Sequence, residues 1–186
     1  MGPAFATKMS SLRRLVTLGG MSAVDEPVTL ATYDEAWPEQ FSAEAARLVR
    51  ELATTAVAVE HIGSTAVAGL TAKPIIDVMV GVSSLATTDQ LARRLIRLGY
   101  EDCGGADDRR YFRKRAGEPY YNVQVIEYAS PTWNANVLFR DFLRSDPAAA
   151  KRYGALKRAA AVEAPTLLAY SELKTRTIED LLREAS

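Results

Sequence analysis

Apolar positions alternate in some stretches of the chain and recur at helical spacing in others, and their order predicts the architecture. Residues 28–33, VTLATY, read as a first strand. Asp34 is placed to cap a helix with Trp37-Pro38 in its first turn, along which Phe41, Ala45, Leu48, Val49 and Leu52 recur on one face. Residues 57–62 form a short strand that ends in a polar knot, and residues 73–82 a strand rich in Ile and Val. Thr87 or Thr88 caps the next helix, whose Leu91, Leu95, Ile96 and Leu98 share a face and which Gly99 ends. Residues 109–115 and 120–127 are two strands joined by the turn Ala116-Gly117-Glu118-Pro119. From Ser130-Pro131 the spacing is helical, with a new start at Asp146-Pro147 and a last helix over 167–185. A mixed front half followed by a helical tail predicts one α+β domain.

The chain has 186 residues, enough for one domain with a real core. Its 48% hydrophobic and 25% charged residues are a globular composition. Residues 1–20 read as an extension or leader outside the fold, and residues 21–186 as the single domain. Lys+Arg and Asp+Glu are both 23, so no net field draws the chain to nucleic acid or to a membrane surface. No apolar run approaches the roughly 20 residues that cross a bilayer. The one cysteine, Cys103, fits a reducing, cytoplasmic setting and excludes a cysteine zinc cluster. The one histidine, His61, excludes zinc sites built from several histidines.

The chemistry concentrates in VEHIGSTAVAGLTAKPIIDVMV, residues 59–80. Gly63-Ser64 can turn the chain sharply, and glycine lets a ligand approach the backbone closely. A helix opened by Ser64-Thr65 would point free N–H groups and a positive dipole end at a phosphate. The loop that follows is long enough to bring Asp77 beside the turn, and Lys73 stands where it can neutralise phosphate charge. The same residues also suit an ordinary capping turn with an aspartate tying down a loop, and both readings stay open at this level. His61 can act as a general base or phosphate donor, or can fix the turn through the backbone.

Gly-Ser, a short gap and an aspartate in an apolar strand resembles the signature of the nucleotidyltransferase superfamily, with its DNA polymerase β type fold. More closely, EHIGSTAVAGLTAKPIIDVMV, YDEAWPEQF and FRDFLRSDPAAAKRYGALKRAAA resemble the GrpB family over about residues 28–185. The resemblance implies a nucleotidyltransferase-like mixed sheet flanked by helices, with a helical C-terminal region. It implies a nucleoside triphosphate or other small-molecule ligand, Mg²⁺ at Asp77, and nucleotidyl transfer to a small acceptor. It also supports a competing non-catalytic module, since GrpB-like domains occur fused to dephospho-CoA kinases; a third reading is different chemistry in the same cleft. It also makes Arg140, Tyr153, Lys157 and Lys174 candidates for lining that cleft.

The chain departs from the active pattern. Active enzymes of this type carry a second carboxylate two residues after the first, where this chain has Met79, a poor ligand for Mg²⁺. On the neighbouring strand stand Asn122 and Gln124, able to bond a base or an amide substrate, or to satisfy a polar wall. Strand alternation predicts Asp77, Asn122 and Gln124 on one face, with His61 and the turn near one end and Val123 and Val125 on the other face. Glu127 shares the parity of Val125, and Glu60 is opposite in parity to His61, so both are expected to face away. That set predicts a phosphate site with at most one Mg²⁺. In RRYFRKR, residues 109–115, Arg110 or Arg113 is a candidate contact for an anionic ligand, against a solvated edge strand or a nucleic-acid patch.

Overall fold

A computed structural model of the chain describes residues 29–163. A five-stranded mixed sheet runs in the order β1-β2-β5-β4-β3. The strands are β1 (Ala56–Ile62), β2 (Ile75–Val82), β3 (Glu101–Ala106), β4 (Arg109–Lys114) and β5 (Tyr120–Glu127). β2 pairs antiparallel with β1 and parallel with β5, and β5-β4 and β4-β3 are antiparallel. The helices are α1 (Trp37–Leu52), α2 (Thr88–Arg97), α3 (Pro131–Ser145) and α4 (Pro147–Glu163).

β2 reads as a nearly unbroken apolar run because both its faces are covered. On one face Val78, Val80, Val123, Val125 and Phe112 pack with Leu48 and Leu52 of α1 and Leu91 and Leu95 of α2. Each such side chain contributes about 1.5–3 kcal/mol on burial. A buried polar staple fixes α1 to the sheet: Glu44 accepts from Tyr100 Oη at 3.0 Å and Lys114 Nζ at 3.2 Å. On the other face Ile62, Met79 and Ile126 pack under Trp133 of α3. Val67 and Leu70, in the β1–β2 connection, pack with Leu143 of α3 and with Ala149 and Tyr153 of α4. This face leaves the polar end of β2 to the connection and to α4.

The expected strand at 28–33 is only one bridge among the described residues, Ala31 to Ala72. Asp34 makes a turn, its Oδ1 accepting from Ala36 N at 2.9 Å, and α1 starts at Trp37 without a side-chain cap. Ser130 does cap α3, its Oγ accepting from Trp133 N at 3.2 Å. Ile96 and Leu138 share spacing with core residues but point outward, 52% and 47% exposed. β3 was absent from the pattern because EDCGGA has no apolar alternation; it is an edge strand held by backbone pairing to β4. The last helix expected at 167–185 and the leader at 1–20 lie outside the described residues.

Gly81 seats α3 on the sheet. A Cβ there would stand 2.8 Å from Trp133 Cζ3, inside contact distance. Gly81→Ala is expected to displace the indole and cost about 1–3 kcal/mol, as overpacked cores do. Urea unfolding checks this as a lower midpoint at unchanged slope.

Candidate functional site

The strand registers build the site. Asp77 stands beside Asn122 and Met79 beside Gln124 across the parallel pair. Arg113 faces Asn122 and Tyr111 faces Gln124 across the antiparallel one. Asp77, Asn122 and Gln124 therefore share a face, and Val123 and Val125 lie fully buried on the other. Asp77 Oδ1 accepts from Asn122 Nδ2 at 2.9 Å, and Asn122 Oδ1 accepts from Arg115 Nη2 at 2.8 Å. Gln124 Oε1 accepts from Arg109 Nη1 at 3.2 Å. Arg109 is buried and bound through Nε and Nη2 to the Asp108 carboxylate, each at 3.0 Å. Thr132 Oγ1 of α3 donates to that carboxylate at 2.7 Å.

The turn after β1 closes onto Asp77. Gly63 has φ +73°, and a Cβ on it would collide with Asp77 Oδ2, so only glycine fits. Ser64–Ala66 is a single 3-10 turn, not the helix expected from the sequence, and too short for a macrodipole. Positive charge comes instead from α4. Lys157 Nζ donates to Ser64 Oγ at 2.8 Å and to the Thr71 carbonyl at 2.7 Å, and it is 4% exposed. Tyr153, one turn earlier, is buried, bonds Ser64 through its phenol and stacks edge-on against Phe139. Burial raises its phenol far above the ordinary value, keeping it protonated.

His61 lies elsewhere. It pairs with Val78, so its ring is on the α1 face, opposite to Asp77. The ring stacks on Phe41 at 4.5 Å, and Nε2 bonds Thr65 Oγ1 at 3.0 Å. Burial, then the nearby charges of Arg144 and Arg140, lower its pKa to about 4. The residue expected to face away, Glu60, pairs with Met79 and so shares the Asp77 face. Its Oε2 accepts from Arg140 Nη1 at 2.6 Å, and the same nitrogen reaches the His61 carbonyl at 3.1 Å. The inversion arises because β1 runs antiparallel to β2, a register that parity within one strand does not supply.

The other candidates divide. Arg113 is on the Asp77 face, bound to Glu101 at 2.8 Å. Arg110 is on the opposite face, pairing with Val125 and bound to Asp102 at 2.6 Å and Asp89 at 2.7 Å. Thr65 is turned with His61 away from Asp77, and Lys73 is half-buried at the entry to β2. Lys174 lies outside the described residues. Reading the sequence left out Arg115 and Arg109 as site residues. Their signal was present, since both share the parity of Arg113.

The donor set does not fit a magnesium centre. Mg²⁺ demands near-octahedral oxygen ligation. Among the described residues no three His, Cys, Asp or Glu cluster. The second carboxylate position is Met79, fully buried among apolar side chains. The amide oxygens of Asn122 and Gln124 both face guanidinium groups.

The chain is similar to known proteins. The family model described as GrpB protein matches residues 27–184. The chain is 36% identical over 140 residues to the UPF0157 protein YqkA of Bacillus subtilis, covering 74% of this chain and 41% of that one. It is 32% identical over 191 residues to a dephospho-CoA kinase of Mycolicibacterium paratuberculosis, covering 86% of this chain and 46% of the kinase. The chain thus spans less than half the length of these two relatives. The crystal structure of GrpB from Enterococcus faecalis superposes with TM-score 0.72 at 35% identity, over 84% of this chain and 99% of that one. Among the described residues no helix is long and apolar enough to cross a membrane.

The depressed pKa of His61 fixes the sign of a pH effect. Between about 4 and 6.5 the unfolded chain binds a proton at this ring that the folded chain does not. Stability is therefore full above pH 6.5 and falls as pH drops towards 4, by about 3 kcal/mol from this ring. Urea unfolding across that window should show the decline in wild type and a shallower one in His61→Gln. Equal slopes would mean that the ring titrates normally.

Proposed function

The chain belongs to the GrpB family, and from that premise we propose that the Asp77 cleft binds a small phosphate-bearing molecule of the nucleotide class. The observation that carries this reading is the Lys157–Ser64 contact at 2.8 Å, set on a turn whose glycine lies against Asp77. A buried ammonium beside a hydroxyl is a compact phosphate site, strengthened by low local dielectric. The amides of Asn122 and Gln124 continue the same face and suit a base or an amide. The arginines at 109, 110 and 113 are each bound to a carboxylate, which disfavours a nucleic-acid strip along β4.

Within this reading, nucleotidyl transfer to a small acceptor has Asp77 as its candidate base among the described residues. Glu60 is engaged by Arg140, and His61 faces the opposite core. A second reading, binding without transfer, is favoured by Met79 in the second carboxylate position. The match to about half of a dephospho-CoA kinase agrees with it, since a binding unit can sit beside another activity.

Titration calorimetry and thermal shift with ATP and pyrophosphate test the binding claim. Ligand at 100 times Kd is expected to stabilise the fold by about 2.7 kcal/mol. Ser64→Ala and Lys157→Gln should each weaken binding about tenfold or more, as loss of a charge-assisted contact does. Unchanged affinity in both variants would place the phosphate elsewhere.

A further inference from the structure

We infer that the cleft takes its phosphate-bearing ligand without a divalent cation, with Arg115 and Lys157 supplying the countercharge. This rests on the reading of the cleft as a phosphate site and adds how the charge is met.

The orientation of the polar groups sets what the cleft presents to a ligand. Guanidinium only donates and stays charged. Arg115 Nη2 at 2.8 Å therefore turns the Asn122 carbonyl towards itself, leaving the –NH₂ for Asp77 at 2.9 Å. Arg109 at 3.2 Å does the same to Gln124, so that amide also offers donors on its other side. Arg115 is locked in place by the carbonyls of Tyr121 at 2.8 Å and Lys114 at 3.3 Å, and its guanidinium lies 5.5 Å from the Tyr120 ring. On the other flank Lys157 is held on Ser64 and Thr71.

Asp77 thus sits in a row of donors. A divalent ion approaching it would meet one carboxylate, two amides whose oxygens face arginines, and the charge of Arg115 one amide away. A phosphate approaching the same place meets donor groups and positive charge: the Ser64 hydroxyl, the Lys157 ammonium, the Arg115 guanidinium and the –NH₂ of Gln124. Where carboxylates would gather a metal to hold phosphate, this chain presents the positive charge on its own side chains. Mg²⁺ in solution then competes, because it neutralises the phosphates that Arg115 and Lys157 recognise.

The test is calorimetric titration of the full chain with ATP and with pyrophosphate, in EDTA and in millimolar Mg²⁺. The expected result is a Kd in EDTA equal to or tighter than that in Mg²⁺. Arg115→Gln should weaken binding in EDTA by about tenfold and Arg115→Lys by less, since lysine keeps the charge and loses the fork. Unliganded melting of each variant reports its fold, and if Arg115→Gln does not fold the wild-type comparison decides alone. Binding abolished by EDTA, or tightened tenfold by Mg²⁺, overturns the inference and leaves the phosphate site standing. An Arg115→Gln protein that folds and binds like wild type in EDTA also overturns it. No binding of either probe in either buffer overturns both.

Discussion

One hydrogen bond, from the Asn122 amide to the Asp77 carboxylate at 2.9 Å, joins neighbouring polar positions of the two central strands. Around it β2 is apolar on both faces, and β5 buries Val123 and Val125. A carboxylate in that setting is costly unless its lone pairs are satisfied. The parallel register of β2 and β5 sets Asn122 beside it, and the close approach of Gly63 brings the turn against its second oxygen. Arg115 then orients the amide from behind. A one-residue slip of β5 would turn Asn122 into the core and leave Asp77 beside Tyr121 or Val123.

The two sheet faces divide the work. The α1–α2 face holds the larger apolar core and, with it, His61, whose neutral ring packs on Phe41 and ties the turn through Thr65. The α3–α4 face holds Trp133 over Gly81 at one end and Lys157 over Ser64 at the other. Between these ends the sheet keeps its polar row. The histidine thus shapes the turn from behind, while the lysine of α4 meets it from the front.

Elements whose pattern repeats were legible in the sequence. β2, β5, α1 and α3 follow alternation or helical spacing, and the shared face of Asn122 and Gln124 follows from alternation, while the register of β5 against β2 brings Asp77 onto it. What needed the structure was relation between strands. The antiparallel register of β1 put Glu60 on the Asp77 face and His61 on the other, reversing the expectation from the polar knot. The same cause removed Arg110 from the site, since it pairs with Val125, and brought in Arg115. β3 was hidden because an edge strand with two glycines shows no apolar period. Lys157 was a cleft candidate through the family resemblance; its reach to Ser64 is a tertiary fact.

Where a phosphate lodges decides between these arrangements. Crystals grown with pyrophosphate in EDTA, and a second set with a non-hydrolysable ATP analogue and Mg²⁺, would show it directly. A phosphate oxygen within hydrogen-bonding distance of Ser64 Oγ and Lys157 Nζ, with no metal between it and Asp77, is the result this account predicts. A phosphate bound only against Arg110 on the far face of the sheet, or a metal bridging Asp77 to the phosphates, would contradict it.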